Sequence, residues 1–141
     1  MIAVDTNVLV MAHRAESPQH AITLARLTSL ANREVPWALP VFCIAEFVRV
    51  VTHRRVFDPP TDLTTALRFI EGLLEAPSAR LLLPTDAYPR EFARVSTDAK
   101  ATGNLTFDAQ IATVCAEHGV REIITADRDF ARFDGLSPIF I

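Results

Sequence analysis

The chain begins with Met1-Ile2-Ala3-Val4-Asp5-Thr6-Asn7-Val8-Leu9-Val10-Met11-Ala12, in which two short apolar runs flank three polar residues. The first run, residues 2–4, contains no alternating polar positions, which is typical of a strand buried on both faces of a sheet. The second run, residues 8–12, follows an Asp-Thr-Asn tripeptide whose side-chain oxygens can cap a helix. The pattern therefore predicts a strand, a tight turn and a helix, with Asp5 at the carboxyl end of the strand.

Asp5 has two interpretations at this point. Ligands of parallel α/β sheets bind outside the carboxyl ends of the strands, so an acid at that position is a candidate site residue. Alternatively, Asp5 or Thr6 only caps the following helix, which is an equally ordinary role. The opening residues alone do not separate these roles, so the other acids of the chain must decide.

Length and composition indicate one domain that spans residues 1–141. Half of the residues are hydrophobic, which is enough for a sizeable core. No apolar run approaches the ~18–20 residues of a membrane-spanning helix, and the N-terminus lacks the basic region of a signal peptide. We therefore expect a cytoplasmic protein with no membrane partner. Cys43 and Cys115 have no C-x-x-C spacing, and we expect both to be small core residues.

The net charge of the chain does not indicate nucleic-acid binding. The formal net charge is −3, whereas phosphate contacts usually come from a basic patch. Lys100 is the only lysine, and the other cations are arginines. Arginine suits bidentate phosphate recognition, but GC-rich coding produces the same bias without any function.

Strand and helix patterns alternate along the rest of the chain. Helices are predicted over residues 19–33, 41–51, 62–75, 86–101 and 105–118, and short strands over residues 35–40, 79–83, 122–126 and 133–141. Helix 41–51 is apolar nearly all round, interrupted only by Glu46 and Arg49, so we expect it to be buried. The alternation predicts a single α/β domain whose mostly parallel central sheet of four to five strands is flanked by helices.

Four carboxylates need a common explanation, namely Asp5, Glu46, Asp108 and Asp127. A buried Glu46 without a partner would be costly. The alternative is an ion pair with Arg49, which is worth only ~0.2–0.5 kcal/mol on an exposed helix face. Asp108 lies in the first turn of its helix, where it suits the helix dipole, yet it shares a face with apolar residues. Asp127 follows a strand, as Asp5 does.

We expect the four acids to converge on a metal ion. Unit charges ~4 Å apart repel by about 4 kcal/mol per pair at an effective dielectric constant near 20, and the chain has no ring of lysines to offset this. Ligation by oxygen alone favours Mg²⁺ or Mn²⁺ over Zn²⁺. One or two such ions can bind a phosphodiester, activate a water and stabilise the leaving oxygen without a protein nucleophile.

The order and spacing of four sequence pieces carry a family resemblance. The pieces are Asp5-Thr6-Asn7, Glu46 in the third helix, Phe107-Asp108-Ala109-Gln110-Ile111-Ala112, and Thr125-Ala126-Asp127-Arg128-Asp129-Phe130. Together they resemble the PIN-domain ribonucleases, and within them the VapC-type toxins of bacterial toxin–antitoxin pairs. The resemblance extends over the whole chain.

The resemblance implies a set of site residues. Asp5, Glu46, Asp108 and Asp127 would be the catalytic acids and would ligate Mg²⁺ or Mn²⁺. Asn7 and Thr125 would support the site as polar partners that orient the ligands. Asp129 would be either a further metal ligand or another supporting residue, and the motif leaves both roles open.

The resemblance also implies an activity and partners. The chain would be an endoribonuclease that hydrolyses RNA phosphodiesters, with a structured RNA such as tRNA as its substrate, and would act as the toxin of a type II toxin–antitoxin system. It would form a homodimer and bind a small antitoxin that blocks the site. Candidate phosphate contacts are Arg14, Arg49 and Arg128.

Three rival functions remain to be weighed. A receiver domain would need a lysine beside the site, but Lys100 falls in a predicted helix. A phosphatase that forms an aspartyl phosphate would need a second acid two residues after Asp5, where Asn7 stands. The principal alternative is a catalytically inert PIN scaffold that binds RNA or a partner protein, and the presence of all four acids argues against it.

Overall fold

The computed structural model describes residues 1–141 as a three-layer α/β domain. The five strands are β1 Ile2–Val4, β2 Trp37–Pro40, β3 Ala79–Leu82, β4 Glu122–Thr125 and β5 Ser137–Phe140. The six helices are α1 Thr6–His13, α2 His20–Ala31, α3 Phe42–Val51, α4 Leu63–Leu74, α5 Tyr88–Ala99 and α6 Leu105–Glu117. A short 3₁₀ helix, Arg128–Arg132, lies between β4 and β5. The predicted single α/β domain with a flanked sheet is confirmed.

The sheet is entirely parallel, and its strand order is β3-β2-β1-β4-β5. The chain builds one half outward from β1 to β3 and then crosses back to place β4 and β5 on the other side of β1. The order therefore reverses between β1 and β4, which is where open α/β sheets form a ligand crevice. Asp5 closes this junction, because its backbone N–H donates to the carbonyl of Ile124 at 3.0 Å.

Right-handed crossovers distribute the helices over both faces of the sheet. The connections from β1 to β2 and from β2 to β3 run in the same direction across the sheet and contain the first four helices. Among these helices, α3 packs against both α1 and α4. The connection through α5 and α6 runs in the opposite direction, and these two helices pack together on the other face, with α6 lying against β2. Helices α3 and α6 come into contact with each other, which brings Glu46 and Asp108 within reach of the same edge of the sheet.

The core is built on the central strands, as the apolar runs predicted. Val4, Leu39 and Ile123 are fully buried, because helices cover both faces of the sheet. Cys43 and Cys115 are also buried in the core, as expected. Burial raises the pKa of the Cys115 thiol to about 12 and that of Cys43 well above its usual range, so neither thiol acts as a thiolate nucleophile.

The expectation that the third helix is buried all round is wrong. Of its residues only Cys43, Phe47 and Val51 are fully buried, whereas Ala45 and Arg49 are exposed. The helix lies between α1 and α4, so only one stripe of its side chains is fully buried. Most of its other apolar residues are partly buried, and several of them pack against the core.

The helix boundaries otherwise follow the sequence patterns within a few residues. The largest shift is at α5, which begins at Tyr88 rather than at residue 86 and ends at Ala99, because Lys100 adopts a left-handed conformation with φ of 51°. Gly119 has φ of 66° directly after the end of α6, a conformation that glycine adopts without strain.

No helix of the chain is long and apolar enough to cross a bilayer.

An aromatic cluster fixes the three helices on one face relative to one another. The ring of Phe47 on α3 stacks on that of Phe69 on α4, with ring centroids 5.1 Å apart. The imidazole of His13, at the end of α1, contacts both rings edge-on at 5.5 Å and 4.9 Å. The cluster therefore holds α1, which starts directly after Asp5, against the part of α3 that carries Glu46 next to Phe47.

Truncation of the central ring should destabilise the protein. Phe47→Ala removes a fully buried ring, and we expect the free energy of unfolding to fall by about 3–5 kcal/mol. Val56→Ala is the control, because Val56 is 53% exposed and its truncation should cost less than about 0.5 kcal/mol. Urea denaturation followed by circular dichroism measures both. Equal effects of the two substitutions would contradict the assignment of Phe47 to the core.

Candidate active site

The predicted acids meet in a cleft at the carboxyl edge of the sheet, at the junction of β1 and β4. The cleft has a volume of about 280 Å³. Its walls are formed by Asp5, Thr6, Asn7, Val10, Met11, Glu46, Val50, Asp108 and Asp127. Residues from one strand end, three helices and the loop after β4 therefore contribute to one site. Asp5, Glu46, Asp108 and Asp127 all lie in this cleft.

Asp5 combines the two roles that the sequence left open. Its backbone is extended, and its Oδ1 accepts a hydrogen bond from the backbone N–H of Thr6 at 2.7 Å, which caps α1. Its Oδ2 faces the cleft and accepts hydrogen bonds from Thr125 Oγ1 at 2.7 Å and from the Asn7 amide. The side chain is almost fully buried, and this burial raises its pKa to about 6 even though the hydrogen bonds act in the opposite direction.

Glu46 reaches the cleft from the middle of α3. Its Oε2 accepts a hydrogen bond from Thr6 Oγ1 at 2.8 Å. Its Oε1 lies 3.9 Å from the Arg49 guanidinium, so the i,i+3 ion pair considered from the sequence is present. The Arg49 side chain is 64% exposed, and a surface pair at this distance contributes little to stability. The contact does not divert Glu46 from the cleft.

Asp108, Asp127 and Asp129 form the most crowded part of the site. One carboxylate oxygen of each lies within 4.8 Å of the others. Burial raises the pKa of Asp108 to about 7, and the negative charges of Asp127, Asp5, Glu46 and Asp129 add to this rise. None of the three aspartates forms a salt bridge. The protein thus holds these carboxylates together without supplying a cation.

A network of hydrogen bonds joins the ends of β1 and β4. Thr125 Oγ1 donates to Asp5 and accepts from the backbone N–H of Asp127 at 2.9 Å and from the Asn7 amide at 3.2 Å. Asn7 Oδ1 accepts from the backbone N–H of Ala126 at 3.0 Å. Asp127 Oδ1 in turn accepts from the backbone N–H of Asp129 at 2.8 Å, which starts the 3₁₀ helix. Asn7 and Thr125 therefore lie where they can orient the acids.

The contribution of Thr6 to the site is not predicted from the sequence. Thr6 was considered only as a possible helix cap, yet its hydroxyl bridges α1 to Glu46 on α3. A signal was available, because a threonine between two polar residues at a strand end can turn its hydroxyl toward the same edge of the sheet. The partner, 40 residues away, could not be read from the sequence.

The three candidate arginines differ in availability. Arg14 is not free to bind phosphate, because its side chain pairs with Glu16, donates to Thr61 and to the Pro59 carbonyl, and covers the Phe57 ring. Arg14 is therefore an ion-paired arginine and not a phosphate contact. Arg49 is exposed beside Glu46. Arg128 forms no salt bridge and lies over the Phe140 ring, with 5.6 Å between the guanidinium carbon and the ring centroid.

The cleft contains a cluster of carboxylate oxygens, which are potential metal ligands. Carboxylates without a neutralising cation suit hard divalent ions and not a soft metal. A receiver-type site is excluded, because no lysine lines the cleft and Lys100 is exposed at the end of α5. The two cysteines and the four histidines are also absent from the walls of the cleft.

Comparisons with known proteins identify the family. The PIN domain family matches residues 2–136. Ribonuclease VapC43 of Mycobacterium tuberculosis (strain H37Rv) is 42% identical over 133 residues, which cover 94% of this chain and 90% of the relative. Ribonuclease VapC25 of the same organism is 33% identical, with 99% of this chain and 97% of the relative covered.

A solved structure shows the same fold. A chain in the crystal structure of VapBC2 from Rickettsia felis superposes with a TM-score of 0.71 at 17% identity, covering 99% of this chain and 98% of the other. At that identity the likeness concerns the fold alone. The family match and the identities above 30% over nearly the whole length are decisive: this chain belongs to the PIN-domain family and, within it, to the VapC-type ribonucleases.

Proposed function

We propose that this chain is a Mg²⁺- or Mn²⁺-dependent endoribonuclease and the toxin of a type II toxin–antitoxin system. The observation that carries the proposal is the convergence of Asp5, Glu46 and Asp108 with Asp127 and Asp129 at one cleft whose walls include no lysine or arginine. The names of the relatives, which are ribonucleases of the VapC type, support the reaction. The whole of residues 1–141 would form the nuclease domain.

The donor set fits a hard divalent ion. All of the converging groups are carboxylates, and the Asp108, Asp127 and Asp129 oxygens lie within 4.8 Å of one another. Oxygen atoms gathered this closely could hold one hard divalent ion. Burial raises the pKa of Asp108 to about 7, and repulsion from the neighbouring carboxylates adds to this rise. Asp5, Glu46, Asp108 and Asp127 would hold the ion, and Asp129 would be either a ligand or a support.

The protein's own part in the reaction is to orient and to bind. Thr125 and Asn7 hold one oxygen of Asp5 toward the cleft, and Thr6 does the same for Glu46. Because these donors are fixed by the ends of two adjacent strands, the carboxylates do not need to reorganise when substrate arrives. When bound, a divalent ion supplies Lewis-acid chemistry, which neutralises charge on the phosphodiester and lowers the pKa of water. No side-chain nucleophile is then required.

Partners follow from the family and from the surface. A VapC-type chain is expected to bind a small antitoxin that blocks the cleft, and to form a homodimer. Several large apolar side chains are exposed at the surface instead of being buried in the core. They include Ile22, Leu24, Val56, Leu63 and Leu67, each at least 42% exposed. They lie on α2, on α4 and in the loop before α4, and they support a protein-covered surface on this side of the sheet. The RNA target is proposed to be a structured RNA such as tRNA.

Cleavage should depend on Asp108. Asp108→Asn keeps the size of the side chain but removes a charge from the cleft, so we expect RNA cleavage to fall by more than about a hundredfold while the fold stays intact. The assay is the incubation of purified protein with tRNA and with total RNA in Mg²⁺ or Mn²⁺, followed by gel electrophoresis. Asp86→Asn is the matched control, because Asp86 is exposed and makes no hydrogen bond or ion pair. An inert scaffold would bind RNA and leave it intact under all of these conditions.

The same substitution should stabilise the metal-free protein at high pH. The folded-state pKa of Asp108, about 7, exceeds its ordinary value of 3.8, so ionisation costs stability as the pH rises from about 4 to about 7. We expect Asp108→Asn to raise the free energy of unfolding by on the order of 1 kcal/mol near pH 8, after allowance for solvent screening of a half-buried group. Urea unfolding in a chelator should show no gain near pH 4. A loss of stability near pH 8 would contradict the repulsion argument.

Divalent ions should stabilise the wild-type protein. An ion that binds only the folded state adds about 2.7 kcal/mol at a hundred times its Kd, which corresponds to a rise in Tm of roughly 10 °C for a domain of this size. Thermal scans with Mg²⁺ or Mn²⁺ are compared with scans in NaCl of equal ionic strength. The same rise in NaCl, or in Asp108→Asn, would show that the ion does not bind at the acidic cleft.

A further inference from the structure

Phe107 differs from every other phenylalanine of the chain. The chain has nine, and eight of them have a ring or guanidinium partner: Phe42, Phe47, Phe57, Phe69, Phe92, Phe130, Phe133 and Phe140. The ring of Phe107 has no such partner and does not pack against the hydrophobic core. It is 59% exposed, the highest exposure of any aromatic side chain here. The fold does not explain why a phenylalanine stands at this position.

The position of Phe107 connects it to the active site. It directly precedes Asp108 in the first turn of α6. Successive residues of a helix point about 100° apart, and Asp108 lines the cleft whereas Phe107 does not. We therefore place the Phe107 ring just outside this lining, at the rim of the cleft. The start of α6 has no side-chain cap, so its positive end is available to a phosphate beside the ring. An exposed aromatic ring and a site for phosphodiester chemistry are therefore adjacent.

Binding of RNA needs a source of affinity that the charges do not supply. The net charge of the chain is −3, and the cleft itself is lined by carboxylates. Proteins that bind single-stranded nucleic acid stack bases on exposed aromatic rings, a contact that every base can make. Bases in a duplex are already stacked, so an exposed ring of this kind selects unpaired nucleotides.

We infer that Phe107 is the stacking platform for an unpaired nucleobase next to the scissile phosphodiester, an inference that rests on the proposed nuclease function. Stacking holds the nucleotide at the rim while its phosphate enters the acidic cleft. A continuous duplex would not engage this ring, because its bases are already stacked. Phe140, the other exposed phenylalanine, does not compete for this role, because Arg128 covers its ring.

Kinetics of three substitutions test the role of the ring. Phe107→Ala should lower kcat/KM for RNA cleavage about 5- to 150-fold, as expected for the loss of one base–aromatic stack. The loss should appear mainly in KM, because the stack forms in both the ground state and the transition state. Phe107→Leu keeps the apolar volume without the π face and should remain impaired, whereas Phe107→Trp should restore cleavage. Val35→Ala, a truncation of a 64% exposed valine that does not line the cleft, should leave kcat/KM unchanged.

A fluorescence experiment reports on stacking independently of cleavage. Trp37 is the only tryptophan and is fully buried, so Phe107→Trp introduces the single exposed indole. In an Asp5→Asn background, which should prevent cleavage, a short single-stranded oligoadenylate should quench the new indole in the presence of Mg²⁺. An abasic oligomer with the same sugar–phosphate backbone should not quench it, and neither should a fully paired RNA duplex.

The outcomes separate this inference from the proposed function. If the wild type cleaves RNA but Phe107→Ala and Phe107→Leu cleave equally well, the stacking role is overturned and the nuclease stands. If the wild type does not cleave, the proposed function fails, and quenching by oligoadenylate alone decides whether the ring binds bases. If Phe107→Ala instead changes only the oligomeric state in light scattering, the ring belongs to a protein interface and the inference is wrong. Unchanged melting of all variants confirms that they fold.

Discussion

The hydrogen bond from Thr125 Oγ1 to Asp5 Oδ2 is the contact on which the rest of the site depends. It ties the ends of β1 and β4 together at the point where the strand order reverses. A buried carboxylate needs such donors, because its charge has lost most of its contact with water. The other oxygen of Asp5 caps α1, so one side chain fixes a strand end, a helix start and the floor of the cleft. Sheet topology and site geometry are therefore set by the same residue.

The close spacing of the remaining acids costs stability but suits the binding of a cation. Asp108, Asp127 and Asp129 are held close together, and the pKa of Asp108 is raised, although each could have been paired with an arginine at little cost. The chain has thirteen arginines, since Lys100 is its only lysine, yet the one ion pair in the cleft is a long, exposed contact to Glu46. Marginally stable proteins keep such local strain where a function requires it. This pattern favours a bound cation over a purely structural role.

The sequence was sufficient for the fold and for the location of the acids. Apolar runs without alternation identify buried parallel strands, and parallel strands bring Asp5 and Asp127 to one edge by geometry alone. The burial of α3 was mispredicted because composition does not show which side of an apolar helix the chain covers. The bridge from Thr6 to Glu46 and the pairing of Arg14 with Glu16 and Thr61 depend on side-chain packing across distant segments. No periodicity encodes these contacts.

An acidic protein that acts on a polyanion needs one set of groups to bind the reacting phosphate and another to bind the rest of the strand. The cleft can attract a phosphate only through a cation, so the carboxylates contribute specificity for the reacting group and little affinity for the strand. Electrostatic steering by the whole surface is also weak at a net charge of −3. Under the proposed function, part of the affinity would come from uncharged contacts, for which Phe107 beside Asp108 offers an exposed ring that does not pack in the core. Such a division makes binding less dependent on salt than binding through a basic patch, because fewer counterions are released from the RNA.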